Sequence, residues 1–157
     1  MVQCDVQFVD KAPMKLLDSL AQLHNGAFTQ LGQTGWDAGQ IGHSLEQEGA
    51  ELAYISADDY IAGFALYKKV LDEAELFTIA VDPAHQRTGL ASQLLNAIRR
   101  SLKKGGIELF FLEVRSDNIG AIACYKKLGF EPIAVRKNYY ADDGGAKFDA
   151  NILRLML

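Results

Sequence analysis

Two cysteines and three histidines in 157 residues leave little material for disulfide or metal chemistry. Cys4 and Cys124 are too few and too far apart in the chain to make a disulfide framework. His24, His43 and His85 show no ligand spacing among themselves or with the cysteines, so no metal is expected. Positive charge is not in excess: 16 Lys and Arg stand against 20 Asp and Glu, for a net charge of −4. A general nucleic-acid binder would show a basic patch or stripe, so no direct nucleic-acid partner is expected. No run of about 18 apolar residues occurs, and no charged-then-apolar leader is seen. The expectation is a soluble, cytoplasmic protein without a membrane partner. Proline is scarce, and no repeat, low-complexity tract or Pro/Ser-rich linker divides the chain. One domain over residues 1–157 is the simplest organisation.

What is present can build a core, since 49% of the residues are hydrophobic and 23% charged. Val2 to Val9 alternates as a first strand. Pro13 suits the first position of a helix, and Leu16, Leu17, Leu20, Leu23, His24 and Ala27 trace its apolar stripe. The glycine-rich segment 31–42 reads as a loop followed by a short second helix to about Glu48. Leu52 to Ile55, Tyr60 to Val70 and Ala74 to Val81 read as strands, with turns at Asp58-Asp59 and Leu71-Asp72-Glu73. Gly89 to Lys104 is an amphipathic helix, with Leu90, Leu94, Ile98 and Leu102 on one face. Its last turns are basic and Gly105-Gly106 ends it. Ile107 to Val114 is an almost continuous apolar run, as expected of a strand covered on both faces. Asp117 or Asn118 can cap a short helix to Lys127, which Gly129 stops. Phe130 to Arg136 and Ala150 to Leu157 complete an α/β domain with a mixed sheet.

The junction Val81-Asp82-Pro83-Ala84-His85-Gln86-Arg87-Thr88-Gly89-Leu90-Ala91 carries the most information. An apolar strand stops at Asp-Pro, a tight loop follows, and a long helix begins. First-turn amides have no partners within a helix, and its dipole favours anions, so this entry suits a pyrophosphate. Neither GxxxxGK[ST] nor GxGxxG is present. Gln86-x-x-Gly89-x-Ala91 after a strand ending Val-Asp-Pro resembles the acyl-CoA pyrophosphate loop of the GNAT acetyltransferase superfamily. The similarity runs from about Ala62 to the C-terminus. It is nearest to the RimI type, through Val70-Leu71-Asp72-Glu73-Ala74, Leu76-Phe77-Thr78-Ile79-Ala80-Val81-Asp82-Pro83, Leu112-Glu113-Val114-Arg115, Asn118, Tyr125-x-x-Leu128-Gly129-Phe130 and Arg136-Lys137-Asn138-Tyr139-Tyr140.

This resemblance implies a mostly antiparallel central sheet with helices on both faces, and fourth and fifth strands splayed to admit acetyl-CoA. It implies transfer of acetyl from acetyl-CoA to a protein N-terminus, the N-terminal alanine of a ribosomal small-subunit protein. Backbone around Ile79, Ala80 and Val81 would then hold the acetyl carbonyl and the pantetheine. Arg87, Thr88, Gly89, Leu90, Ala91 and Ser92 would supply amides to the pyrophosphate, and Asn118 would contact CoA. Asn118 also reads as a helix cap, and Arg87 equally as a solvated arginine.

Glu113 interrupts an apolar strand on the face of Ile107, Leu109 and Phe111. From the residues alone two readings stand. One is a partly desolvated carboxylate with a raised pKa. The other is a strand-end carboxylate paired with an arginine such as Arg115 or Arg87. The resemblance places Glu113 at the family's catalytic-base position. An α-ammonium near ~8 losing its proton to a carboxylate near ~4.3 is uphill by about 5 kcal/mol, a gap that desolvation shrinks. Tyr125 falls on the buried stripe Ala121, Ile122, Tyr125 and Leu128, which alone makes it a core tyrosine. In the family that tyrosine protonates the departing thiolate. A phenol near ~10 and a thiol near ~8.5 leave that step uphill by only about 2 kcal/mol.

Cys124 adjoins Tyr125 but has no base placed to activate it, which argues against an acyl-enzyme. His85 reads as solvent-facing. Tyr139-Tyr140 stand either in a peptide groove or as exposed hairpin residues. The N-terminal third departs from the RimI pattern. Where a Pro-Trp-Ser motif is usual, the chain has Gln30-Leu31-Gly32-Gln33-Thr34-Gly35-Trp36-Asp37, with Asp37 able to replace the serine cap. The acceptor therefore stays open between a protein N-terminus and a small-molecule amine, with a non-catalytic acyl-CoA-binding module as a third reading.

Overall fold

The computed structural model describes residues 5–157. Strand β1 (Val6–Val9) is followed by helices α1 (Met14–Thr29) and α2 (Ala38–Leu45). Strands β2 (Ala50–Ala57), β3 (Tyr60–Val70) and β4 (Glu73–Val81) form a meander. Helix α3 (Leu90–Lys104), strand β5 (Leu109–Arg115), helix α4 (Ile119–Lys127) and strands β6 (Glu131–Ala141) and β7 (Lys147–Met156) complete the order. The seven strands make one sheet, β1-β2-β3-β4-β5-β7-β6. Every neighbouring pair is antiparallel except β4 and β5. The mixed α/β sheet expected from the sequence is the sheet observed.

Boundaries moved where local chemistry and pairing compete. The first strand begins at Val6, and the Val2–Cys4 part of its expected range lies outside the described residues. Pro13 is one position earlier than expected: its ψ of 159° keeps it extended, and its carbonyl accepts the amides of Leu16 and Leu17. Asp37 does cap α2. Its carboxylate accepts the Gln40 amide, and the Gln40 side chain accepts the Asp37 amide. Strand β6 continues well past Arg136, because β7 offers it partners as far as Lys147.

Helices cover both faces of the sheet. Leu94, Leu95, Ile98 and Leu102 of α3 pack with Phe110, Leu112 and Leu153 in one apolar cluster. Leu20 and Leu23 of α1 and Ile41 of α2 pack on Leu52, Phe64 and Leu66 from the other side. The i, i+4 spacing of α3 accounts for its buried stripe.

Strand β4 changes phase midway. Leu66 opposes Thr78 but Tyr67 opposes Leu76, leaving Phe77 as the extra residue of a bulge. Leu76 belongs to the α3-side cluster, whereas Phe77 packs on the α1-side cluster and Thr78 bonds to His24 of α1. A bulge twists a strand and ends regular pairing. Pairing between β4 and β5 accordingly covers only Glu73–Glu75 against Leu109–Phe111. Beyond Glu75 the two parallel strands diverge, and the gap between them is where the candidate site forms.

Candidate active site

A cavity of about 410 Å³ opens at this divergence. Ile79 of β4, Glu113 of β5, Asn118 at the start of α4 and Tyr125 within it all line the cavity. Residues 79, 113, 118 and 125 are thus gathered from three elements, because the bulge and the short β4–β5 ladder hold the strands apart. Phe28, Thr34 and Trp36 form one further wall, and Tyr139 and Tyr140 another.

Glu113 is half-buried, with 22% of its side chain exposed. Its Oε1 meets Arg136 Nη1 at 3.3 Å, while Oε2 makes no hydrogen bond or ion pair with the described residues. The arginine partner is neither Arg115 nor Arg87. Arg115 is buried and grips Asp117 with Nε and Nη2 at 2.6 and 3.0 Å, while its guanidinium lies 4.2 Å above the Phe148 ring. Arg87 stands exposed in the loop before α3. Sequence spacing could not select Arg136, because strand β7 lies between β5 and β6 and carries the pairing.

The tyrosine pair owes its placement to a second bulge. Arg136 opposes Ala150 and Tyr140 opposes Phe148, so residues 137–139 loop out opposite Asp149 alone. Asn138 takes a φ of 51°, and its amide donates to Asp149 Oδ1 at 2.9 Å. The looped segment turns Tyr139 and Tyr140 onto the cavity, with their rings edge to face at 5.2 Å. Burial, then the charge of Glu113, pushes the Tyr140 phenol up to about 12. It stays protonated at neutral pH, a donor beside a carboxylate.

Tyr125 is buried, against Phe130 at a ring distance of 5.9 Å. Burial raises its phenol pKa, with the neighbouring Cys124 thiol and Tyr140 adding to the shift. Its place in the apolar core and its place on the cavity wall are both observed. The stripe that made it a core tyrosine and the motif that made it a cavity tyrosine describe one residue.

The loop entering α3 has a different character. Asp82 accepts the amide of Ala84 through Oδ1 and that of His85 through its carbonyl, fixing a single tight turn. Arg87 and Gly89 both adopt left-handed conformations, at φ 60° and 88°. Gly89 precedes the first helical residue, and no side chain caps the helix. Helices α2 and α4 begin on Asp37 and Asn118 side-chain caps, whereas the first-turn amides of α3, like those of α1, have no such partner. Thr88 and Gly89 are exposed, Ala91 and Ser92 partly so, and Leu90 sends its side chain into the core. Residues 87–92, together with Ala80 and Val81, lie outside the cavity wall that holds Glu113 and Tyr125. His85 meets the Tyr60 hydroxyl, at 3.0 Å from Nε2. Among the described residues no group of three or more His, Cys, Asp and Glu side chains could hold a metal ion.

Sequence reasoning gave no role to Glu75, Thr78 or Thr34 on the wall, nor to the buried histidine behind one of them. His24 is sandwiched between Phe28 and Trp36, with ring distances of 4.1 and 5.4 Å. Its Nδ1 accepts the Trp36 amide at 3.0 Å, and its Nε2 meets Thr78 Oγ1 at 2.8 Å. Burial lowers its pKa to about 4, so the ring is neutral at physiological pH. Gly35 permits this contact, since a Cβ there would stand 2.4 Å from the Asn25 Cα. The glycine-rich segment is further pinned by the β6–β7 turn, where the Asp143 amide donates to the Gly32 carbonyl at 2.9 Å. The available signal was a histidine in the apolar stripe of α1. Its partner could not be read, being 54 residues away.

The acetyltransferase (GNAT) family matches residues 17–130 of the chain. A [ribosomal protein bS18]-alanine N-acetyltransferase of Haemophilus ducreyi is 42% identical over 125 residues, covering 78% of this chain and 83% of that protein. The protein of the same name from Salmonella typhimurium is 46% identical over 101 residues, covering 64% and 68%. The crystal structure of the ribosomal-protein-S18-alanine N-acetyltransferase from Escherichia coli superposes with a TM-score of 0.84 at 32% identity, covering 97% of this chain and 94% of that one.

Proposed function

The chain belongs to the GNAT acetyltransferase family, and from that premise we propose that it moves the acetyl group of acetyl-CoA to the N-terminal alanine of a ribosomal small-subunit protein. The observation that carries this reading is the meeting of Glu113 and Tyr125 on one cavity at the β4–β5 divergence. It agrees with the relatives, whose names specify the alanine of bS18 as acceptor.

In the proposed reaction acetyl-CoA lies in the divergence with its pyrophosphate on the uncapped start of α3. Amides of Arg87 to Ser92 and the backbone of Ile79, Ala80 and Val81 would bind it, with Asn118 at the entrance to α4. Glu113 would take the proton from the acceptor ammonium through Oε2, directly or through a water. The neutral amine would attack the thioester carbonyl, form the tetrahedral intermediate and expel the thiolate. Preorganised amides aimed at the developing oxyanion are a large term in such reactions.

Tyr125 would protonate the leaving thiolate. Its raised pKa makes it a weaker acid than a free phenol, which lengthens that step if the thiolate were solvated. A thiolate formed in the same desolvated cavity is raised by the same burial, which keeps the two groups comparable. The cytoplasm, where ribosomal proteins are made, is the matching location. No helix among the described residues is long and apolar enough to cross a membrane.

Intact-mass spectrometry of a panel incubated with acetyl-CoA tests the proposal. The panel contains Ala-initiated peptides, the same peptides with blocked N-termini and free lysines, and a polyamine. One acetyl gained only by free N-termini is the expected result. Transfer to the polyamine or to lysine alone would move the chain to a small-amine or lysine acetyltransferase. Binding of CoA with no transfer to any arm would leave a binding module.

A further inference from the structure

The hydrogen-bond chain from Trp36 through His24 ends at Thr78, and each link has a direction. The Trp36 amide can only donate, so His24 Nδ1 accepts and carries no proton. The neutral ring then holds its proton on Nε2 and donates it to Thr78 Oγ1, 2.8 Å away. One lone pair of the hydroxyl is thereby used, and its own proton is left to point elsewhere. Thr78 is buried and its hydroxyl has no hydrogen-bond partner besides His24 among the described residues, yet it lines the cavity shared by Glu113 and Tyr125. The stacked rings of Phe28 and Trp36 fix the imidazole, so the hydroxyl is preorganised.

We infer that Thr78 donates a hydrogen bond to the first peptide carbonyl of the acceptor, with His24 as its positioning residue, and that this contact distinguishes a protein N-terminus from a lysine side chain. The inference rests on the acceptor reading proposed above. That carbonyl oxygen lies three bonds from the α-nitrogen, so a group holding it must share one small cavity with the base. Glu113 and Thr78 share such a cavity. A lysine ε-amine has no carbonyl at that separation. The bulge at Phe77 turns Thr78 toward α1, on the side walled by Trp36 and Tyr140 and away from the start of α3. The hydroxyl therefore faces the acceptor's side of the divergence.

The test compares wild type, Thr78→Val and Thr78→Ser on an Ala-initiated peptide and on the same peptide with its first carbonyl replaced by a thiocarbonyl, a poor acceptor. Thr78→Val is expected to lower kcat/KM for the normal peptide about tenfold through KM, the loss of one hydrogen bond in a closed site. The KM for acetyl-CoA should stay unchanged and Thr78→Ser should restore the rate. The thiocarbonyl peptide should be poorer for wild type and no poorer for Thr78→Val. His24→Gln should fall between wild type and Thr78→Val. Equal losses on both peptides, no loss at all, or a raised KM for acetyl-CoA would each overturn the inference. If Thr78→Val does not fold, Thr78→Ala carries the same comparison. Wild type that acetylates no free N-terminus would sink the acceptor reading itself, and this contact with it. Wild type that does so while Thr78→Val matches it would sink this contact alone.

Discussion

The two faces of the sheet bury different chemistry. Beneath α3 the core is apolar apart from the hydroxyls of Tyr67 and Tyr125, with Leu94, Leu95, Ile98 and Leu102 on Phe110 and Leu112. Beneath α1 the core also contains His24 and Thr78, both buried and bonded to each other. Apolar packing holds elements together without direction, whereas a buried polar pair must be satisfied and so aims particular groups. The α3 face is a platform that holds one wall of the divergence still. The α1 face aims a polar group into it.

Four changes would break or sharpen that contrast, in descending order of effect. Glu113→Gln, on the face of β5 opposite α3, should lower kcat by roughly 10²–10⁴-fold if the residue is the general base. An unchanged rate across pH in steady-state assays would remove it from that role. Ile98→Ala strikes the platform alone. It should cost about 2–5 kcal/mol in urea unfolding, with KM for the acceptor peptide left as in wild type. A shift in that KM would mean the two faces are not separable.

The third change tests the aimed face through pH. His24 is held down to about 4 against an ordinary 6.5 by burial. Between those values the unfolded chain takes up a proton that the folded chain refuses. This contribution to stability is complete above pH 6.5 and is lost as pH falls toward 4. It amounts to something on the order of 3 kcal/mol. Urea titrations at pH 7 and pH 4.5 should show that extra loss in wild type and not in His24→Gln. Equal slopes in both proteins would remove the histidine as its source. The smallest change is Gly89→Ala. Its Cβ would meet nothing within 4 Å, so space is not the difficulty. The φ of 88° is the obstacle, and forcing alanine into it should cost about 1 kcal/mol. A raised KM for acetyl-CoA with an unchanged peptide KM would place the cofactor's phosphates at this turn.

Legibility divided along the same line. The α3 helix, the Tyr60–Val70 strand and the Asn118 cap were readable because each is set by neighbours a few residues away. The Asp82-Pro83 stop and the Gly89 entry were readable for the same reason. Strand β6 was foreseen only to Arg136, since its continuation depends on β7 and on a bulge opposite Asp149. Glu113 stood out as a carboxylate in an apolar run, but its Arg136 partner was hidden by the sheet order. Thr78 stood in the resembling strand with no role of its own, and His24 was merely one member of a helical stripe.

Sequence by itself determined the order of elements, the apolar faces, the anion-ready helix start and the family motif, because period, capping and glycine conformation act over a few residues. Tertiary structure alone decided which carboxylate meets which arginine, where β4 leaves β5, and which way the Thr78 hydroxyl points. Those depend on pairing register and on contacts between residues as distant as 24 and 78. Register and long-range contact are chosen only when the whole core closes at once.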